Sequence, residues 1–204
     1  MSLRIGITMR VTKAKKYYDL RDSISQDWHR FLHNNFKNVD LIYIPNIKEG
    51  VIEYIKYWKV DSIIFSGGDD LGLTPSRYIT ERILLKYALK NKIPVMGICR
   101  GLQLIVSELG GEVSSGNKDF INRHNSKRHN VYIQNSLKEV NSFHSNQIKN
   151  NSLPKELDVL AYDEKDKSVE ALIGDKIIAL MWHPEREEEE SLWQINLIKN
   201  HFGI

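Results

Sequence analysis

Apolar positions along the first two-thirds of the chain alternate between two periods. Arg4 to Thr8 forms a short run suited to a buried strand, after which Ile24, Trp28, Phe31 and Leu32 recur at helical spacing. Val39 to Ile44 is a second strand, stopped by Pro45. Val51, Ile55 and Trp58 mark another helix, followed by the strand Ser62 to Phe65. Ile79, Ile83, Leu84 and Tyr87 predict a third helix, and Pro94 to Ile98 a further strand. Leu102, Ile105, Val106 and Leu109 then form one apolar stripe, with Gly110-Gly111 as its C-terminal stop.

The last third changes character. Val131 to Gln134, Leu157 to Tyr162, Ser168 to Ile173 and Lys176 to Trp182 read as strands joined by short turns, with some antiparallel pairing. A final helix carries Leu192, Ile195, Ile198 and Phe202 along one side, and the acidic run Glu187 to Glu190 suits its first turn, where negative charge meets the helix dipole. Alternating strands and helices predict an α/β fold: three layers, a mostly parallel central sheet with helices on both faces, and a smaller antiparallel portion. Ligands of such sheets bind beyond the carboxyl ends of strands. Three chemically loaded segments fall at such ends: Ser66-Gly67-Gly68, Cys99-Arg100 and His183-Pro184-Glu185.

Composition narrows the partners. The 204 residues fit one domain, residues 1-204, without a low-complexity linker or internal repeat. A net charge of +3 is too small to argue for nucleic acid, and no run is long and apolar enough to span a membrane. The N-terminal stretch lacks the apolar segment of a signal peptide, and a single cysteine cannot form an internal disulfide, so a cytoplasmic location is expected.

That cysteine sits in Gly97-Ile98-Cys99-Arg100-Gly101, between a strand and a helix. A free cysteine is often only a small buried hydrophobe. The frame also fits the cysteine form of a nucleophile elbow, in which glycines allow a sharp turn and the helix N-terminus favours a thiolate. A nucleophile needs a base, and the base an orienting group. His183 emerges at the end of the apolar strand, Pro184 keeps it extended, and Glu185 is near enough to accept from its ring. An acyl-transfer site also needs oxyanion donors. The amide of Arg100 is one, and the Ser66-Gly67-Gly68-Asp69 turn can supply another. A phosphate loop is the rival reading of that turn, but no Gly-Lys-Ser/Thr follows it.

The ordered segments SGGDD, GICRGLQL, VNSFHSNQ and MWHPE resemble the class I glutamine amidotransferase superfamily, and more closely its γ-glutamyl-amide hydrolase branch, the peptidase C26 type. The resemblance spans nearly the whole chain. It implies a triad of Cys99, His183 and Glu185, with the amides of Gly68 and Arg100 as the oxyanion hole. It further implies that Gly67, Gln103 and the segment Ser142-Phe143-His144 hold the glutamyl group. Similar proteins often carry Gly-Gly-x-Asp-x-x-Pro, whereas here Gly-Gly-Asp-Asp leads into Leu71-Gly72-Leu73. The implied chemistry needs no metal and no organic cofactor. His124 and His129 suggest a zinc pair, yet no cysteine or further histidine stands at metal-ligand spacing from them, so no metal is expected.

Between the glycine stop and the next strand lies a basic stretch, residues 116-130, read as a loop. It holds Lys118, Arg123, His124, Lys127, Arg128 and His129. It reads either as a solvated surface or as a cradle for a phosphate-bearing leaving group, to which Arg10 could add. The second alternative matches a resemblance to hydrolases that release cytidine diphosphoramidate from γ-glutamyl-CDP-amidate for capsule modification. A small-molecule γ-glutamyl amide is then the substrate, and no synthase partner is required. Three other readings stay open: a γ-glutamyl-γ-aminobutyrate hydrolase, a glutaminase subunit feeding ammonia to a synthase, and a redox sensor using Cys99 alone.

Overall fold

The computed structural model describes residues 2–187 and 191–204. Strand β1 (Leu3–Thr8) leads into an exposed hairpin of β2 (Arg10–Lys13) and β3 (Leu20–Ser23), then helix α1 (Gln26–Asn35) and β4 (Val39–Ile44). Helix α2 (Val51–Tyr57), strand β5 (Ser62–Phe65), helix α3 (Pro75–Lys90), strand β6 (Val95–Ile98) and helix α4 (Arg100–Glu108) follow. The second half runs β7 (Ser114–Ser115), α5 (Lys118–His124), β8 (Asn125–Ile133), β9 (Ser136–Phe143), β10 (Asn146–Gln147), β11 (Asp158–Asp163), β12 (Val169–Gly174), β13 (Ile177–Leu180) and α6 (Leu192–Phe202).

Nine strands form one sheet in the order β4-β1-β5-β6-β13-β12-β11-β8-β9. The first five are parallel, and from β13 onward each neighbour is antiparallel. This is the predicted α/β layout, with the antiparallel part continuous with the parallel sheet. Successive side chains of a strand face opposite ways, and the core divides accordingly. Ile5, Ile7, Ile64, Met96, Ile98 and Leu180 pack under α1 and α6, against Trp28, Leu32, Ile195 and Ile198. Ile63, Phe65, Val95 and Ala179 pack under α2, α3 and α4, against Ile55, Leu84, Leu102 and Ile105. Each such fully buried aliphatic side chain contributes about 1.5–3 kcal/mol.

Three elements differ from the expectation. The basic stretch is not a loop: residues 118–124 are helical and β8 begins already at Asn125. Strand β9 and the β2–β3 hairpin carry too many polar residues for a periodicity to stand out. Of the acidic run expected in the first turn of the last helix, only Glu187 is among the described residues. Glu187 is extended after the short turn Pro184–Arg186, α6 starts at Leu192, and Glu188 to Glu190 lie outside the described residues.

Candidate active site

The carboxyl ends of β5, β6 and β13 are neighbours in the sheet, so the three loaded segments converge. Cys99 follows β6 at φ 50° and ψ −101°, a conformation non-glycine residues avoid. It is held there by its amide, which donates to the Leu180 carbonyl at 2.7 Å, and by the Gln103 amide, which donates to the Cys99 carbonyl at 3.1 Å. The turn needs glycine at 101 because any Cβ there would collide with the carbonyl oxygen of Phe65. The outcome is a thiol at the N-terminus of α4, only 6% exposed.

His183 leaves the sheet just after β13. Its backbone is clamped by Asn141 of β9, whose Nδ2 donates to the His183 carbonyl at 2.7 Å and whose Oδ1 accepts from the His183 amide at 2.9 Å. The ring nitrogen Nδ1 lies 2.7 Å from Oε1 of Glu185, and both side chains are buried. The opposite side of the ring faces Cys99. Burial pushes the thiol up, but the hydrogen bond and charge of His183, the charge of His144 and the Arg100 amide outweigh it and leave Cys99 below the ordinary thiol range. Burial alone would lower His183, but the Glu185 carboxylate and the Cys99 sulfur push it up to about 9. Both shifts run in the direction that favours a thiolate–imidazolium pair.

The Ser66-Gly67-Gly68 turn closes the third side. A Cβ at Gly67 would meet Cε1 of His183 at 2.6 Å, so this backbone lies directly on the imidazole. Gly68 takes φ 145°, a conformation open to glycine. Beneath the turn, Arg77 of α3 donates to the carbonyls of Ser66 at 2.7 Å and Gly67 at 3.2 Å. Its Nε is 2.9 Å from Glu81, which also pairs with the Arg100 side chain and accepts from Thr8 at 2.8 Å. All four side chains are buried, so two guanidiniums share one carboxylate beneath the glycine turn and the start of α4.

Matching to the family Glutamine amidotransferase class-I extends over residues 16–201. The chain belongs to this family. A Gamma-glutamyl-CDP-amidate hydrolase from Campylobacter jejuni is 31% identical over 209 residues, 98% of each chain. Among solved structures, a GMP synthase subunit from Thermoplasma acidophilum superposes with TM-score 0.69 at 20% identity, covering 100% of this chain and 94% of its own. A glutamine amidotransferase from Thermotoga maritima gives TM-score 0.66 at 16% identity, with 100% and 83% covered. These two establish the fold.

Within this family member the remaining predicted residues divide. Gln103 is buried on α4, and its Oε1 accepts from Asn146 at 3.2 Å. Phe143 stands edge-on to His183 with centroids 5.7 Å apart, under the Arg186 guanidinium. Ser142 turns inward and donates to the His124 carbonyl at 2.5 Å, and His144 also points into the interior. Arg10, just after β1, lines a small cavity with Ser66, Gly67, Glu185 and Arg186, and its Nε is buried without a hydrogen-bond partner.

The basic stretch behaves otherwise. Arg123 pairs with Asp166, Arg128 with Glu139 and Glu187, and His129 with Asp163 at 2.7 Å. Arg123, Lys127, Arg128 and His129 line a separate cavity of about 300 Å³ that none of Cys99, His183 or Gly67 reaches. The picture of free cations in a loop beside the thiol is therefore replaced by a helix and strand whose arginines are already matched by carboxylates. The premise against a metal pair also fails, because His144 and Glu170 join His124 and His129 in one cluster. Sequence reasoning missed Asn141, Arg77 and Glu81. The Arg77–Glu81 spacing reads as an ordinary solvated helix pair, and Asn141 stands inside the VNSFHSNQ segment without a sign that it clamps His183.

Proposed function

We propose that this amidotransferase-family chain hydrolyses a γ-glutamyl amide through a thioester on Cys99, with γ-glutamyl-CDP-amidate as its substrate and glutamate and cytidine diphosphoramidate as products. The observation that carries the reaction class is the strained Cys99 turn beside the paired His183 and Glu185. The full-length similarity to the Campylobacter hydrolase supports the substrate.

The chemistry runs in two halves. The Cys99 thiolate attacks the γ-carbonyl carbon, and the oxyanion so formed accepts from the amides of Arg100 and Gly68. The buried Arg77–Glu81–Arg100 group carries one net positive charge beneath that oxyanion, which favours it further. The His183 imidazolium gives its proton to the leaving nitrogen, the C–N bond breaks and a thioester remains. Water then loses a proton to His183 and attacks the thioester carbon. Collapse releases glutamate and restores the thiolate–imidazolium pair. Glu185 holds the ring and stabilises its cation. Gly67 and Gln103 border the glutamyl group, with the backbone of Ser142-Phe143-His144. The role in capsule modification is carried by the substrate alone.

Arg10 is the cation we assign to the leaving group's phosphates, since it shares a cavity with Gly67 and Glu185 and has an unmatched buried Nε. Loss of one charge-assisted contact costs about 1.5–3 kcal/mol, or about ten- to a hundred-fold in kcat/KM. Arg10→Ala should impose that loss on γ-glutamyl-CDP-amidate and leave glutamine hydrolysis within about two-fold. Equal losses on both substrates would remove the phosphate assignment.

A further inference from the structure

Three histidines and a glutamate meet in the antiparallel half of the molecule, drawn from four places in the chain. His124 ends α5, His129 lies on β8, His144 follows β9 and Glu170 is on β12. One ring nitrogen or carboxylate oxygen of each lies within 4.8 Å of the others. His124, His144 and Glu170 are buried, and the side chain of His129 is 9% exposed. Their facing atoms, Nδ1 of His124, Nε2 of His129, Nε2 of His144 and Oε2 of Glu170, have no hydrogen-bond partner. Four polar atoms unmatched at one buried point is a costly arrangement unless something sits between them.

The separations say what. Glu170 oxygens are 3.6 Å from His124 Nδ1, 3.7 Å from His129 Nε2 and 3.5 Å from His144 Nε2. These are too long for hydrogen bonds. Two ligands on one tetrahedral ion with bonds near 2.0–2.1 Å stand about 3.3 Å apart.

The outer ring nitrogens are all engaged. His124 Nε2 faces Asp166 at 2.9 Å, His129 Nδ1 faces Asp163 at 2.7 Å, and His144 Nδ1 donates to the Asn146 carbonyl at 2.9 Å. The two aspartates are themselves fixed, Asp163 by the amides of Lys165 and Asp166, and Asp166 by the amide of Ser168. Such outer partners set the tautomer so that the inner nitrogen presents a lone pair. Charge agrees: Glu170, Asp163 and Asp166 against the guanidinium of Arg123 leave two negative charges, which one divalent cation balances.

We propose that His124, His129, His144 and Glu170 bind one divalent ion of the zinc class, tetrahedrally and without an open position, as a clasp joining α5, β8, β9 and β12. Three imidazoles and one carboxylate suit zinc better than calcium or magnesium, which take oxygen ligands. The site is structural, and no step at Cys99 passes through it. Its fourth connection reaches the active site, because the residue before His144 is the Phe143 that stands against His183.

The test is metal analysis of the full chain, purified with any histidine tag removed. The expected result is about one equivalent of zinc per chain, and a visible d–d band of tetrahedral type when cobalt(II) replaces it. Chelation should lower the melting temperature on the order of 10 °C, restored by added zinc. Glu170→Gln and His129→Gln should each cut the metal content at least ten-fold, while Cys99→Ala keeps it. If either variant fails to fold, the cobalt spectrum and chelator reversibility of the wild-type chain decide. Wild-type protein with less than about a tenth of an equivalent after zinc addition, or variants that retain full metal, would overturn the site.

Discussion

Cys99 and His183 shift each other in opposite directions, which gives the reaction a definite pH signature. The thiol is held low and the imidazole is pushed up to about 9. Alkylation of Cys99 by iodoacetamide should therefore be fast well below the pH at which free cysteine reacts, and His183→Asn should move that profile toward the free-thiol range. A profile unchanged in the variant would mean the imidazole does not support the thiolate. The raised His183 value also has a consequence for folding. Its contribution is complete below the ordinary imidazole range near 6.5 and is lost as pH rises through about 9, so the wild type should lose stability across that window. Hydrolysis should fall over the same limb as the proton for the leaving nitrogen disappears. Glu185→Gln should cost turnover less than His183→Asn, because it keeps a partner for Nδ1 and removes only the charge. Equal losses from both would assign Glu185 a larger part than orientation. These three side chains were legible in the sequence because the signals are local: a cysteine between glycines, and a glutamate two places after a histidine. The clamp that Asn141 sets on His183 was not, since it joins residues far apart in the chain and exists only once the fold brings β9 to the His183 backbone.

At the scale of elements, α3 and α4 are tied beneath the active site by Glu81, which takes Arg77 from its own helix and Arg100 from the next. Glu81→Gln would leave two buried guanidiniums facing one another, at a cost of about 3–5 kcal/mol, read as a drop in denaturant midpoint. Replacing the carboxylate with less than about 1 kcal/mol of loss would show that the pair is not what holds the helices. The central strand Ser62–Phe65 was read to the residue because it is buried on both faces, and the edge strand Val39–Ile44 because its residues are mostly apolar and Pro45 stops it. Strand β9 escaped because five of the eight residues of Ser136–Phe143 are polar. The same polarity hid the histidine cluster: its ligands come from α5, β8, β12 and the end of β9, and only the pairing of those strands assembles them.

For the whole molecule, the alternation of strands and helices predicted the layered sheet, and the order of four motifs placed the chain in its family before any pairing was known. The nine-stranded order brings the carboxyl ends of β5, β6 and β13 together beside the change from parallel to antiparallel pairing, so one end of the sheet carries the reaction proposed. With the proposed nucleophile, base and oxyanion donors on a single chain, hydrolysis is expected to proceed without a synthase partner. The measurement that tests this most directly is the steady-state release of glutamate by the purified chain alone, from γ-glutamyl-CDP-amidate, γ-glutamyl-γ-aminobutyrate and glutamine, beside the Cys99→Ala variant. The expected result is turnover without any added protein, highest kcat/KM for the CDP-linked substrate, and none by the variant. Glutamate release by Cys99→Ala at the wild-type rate, or no release from any of the three by the wild type, would contradict it.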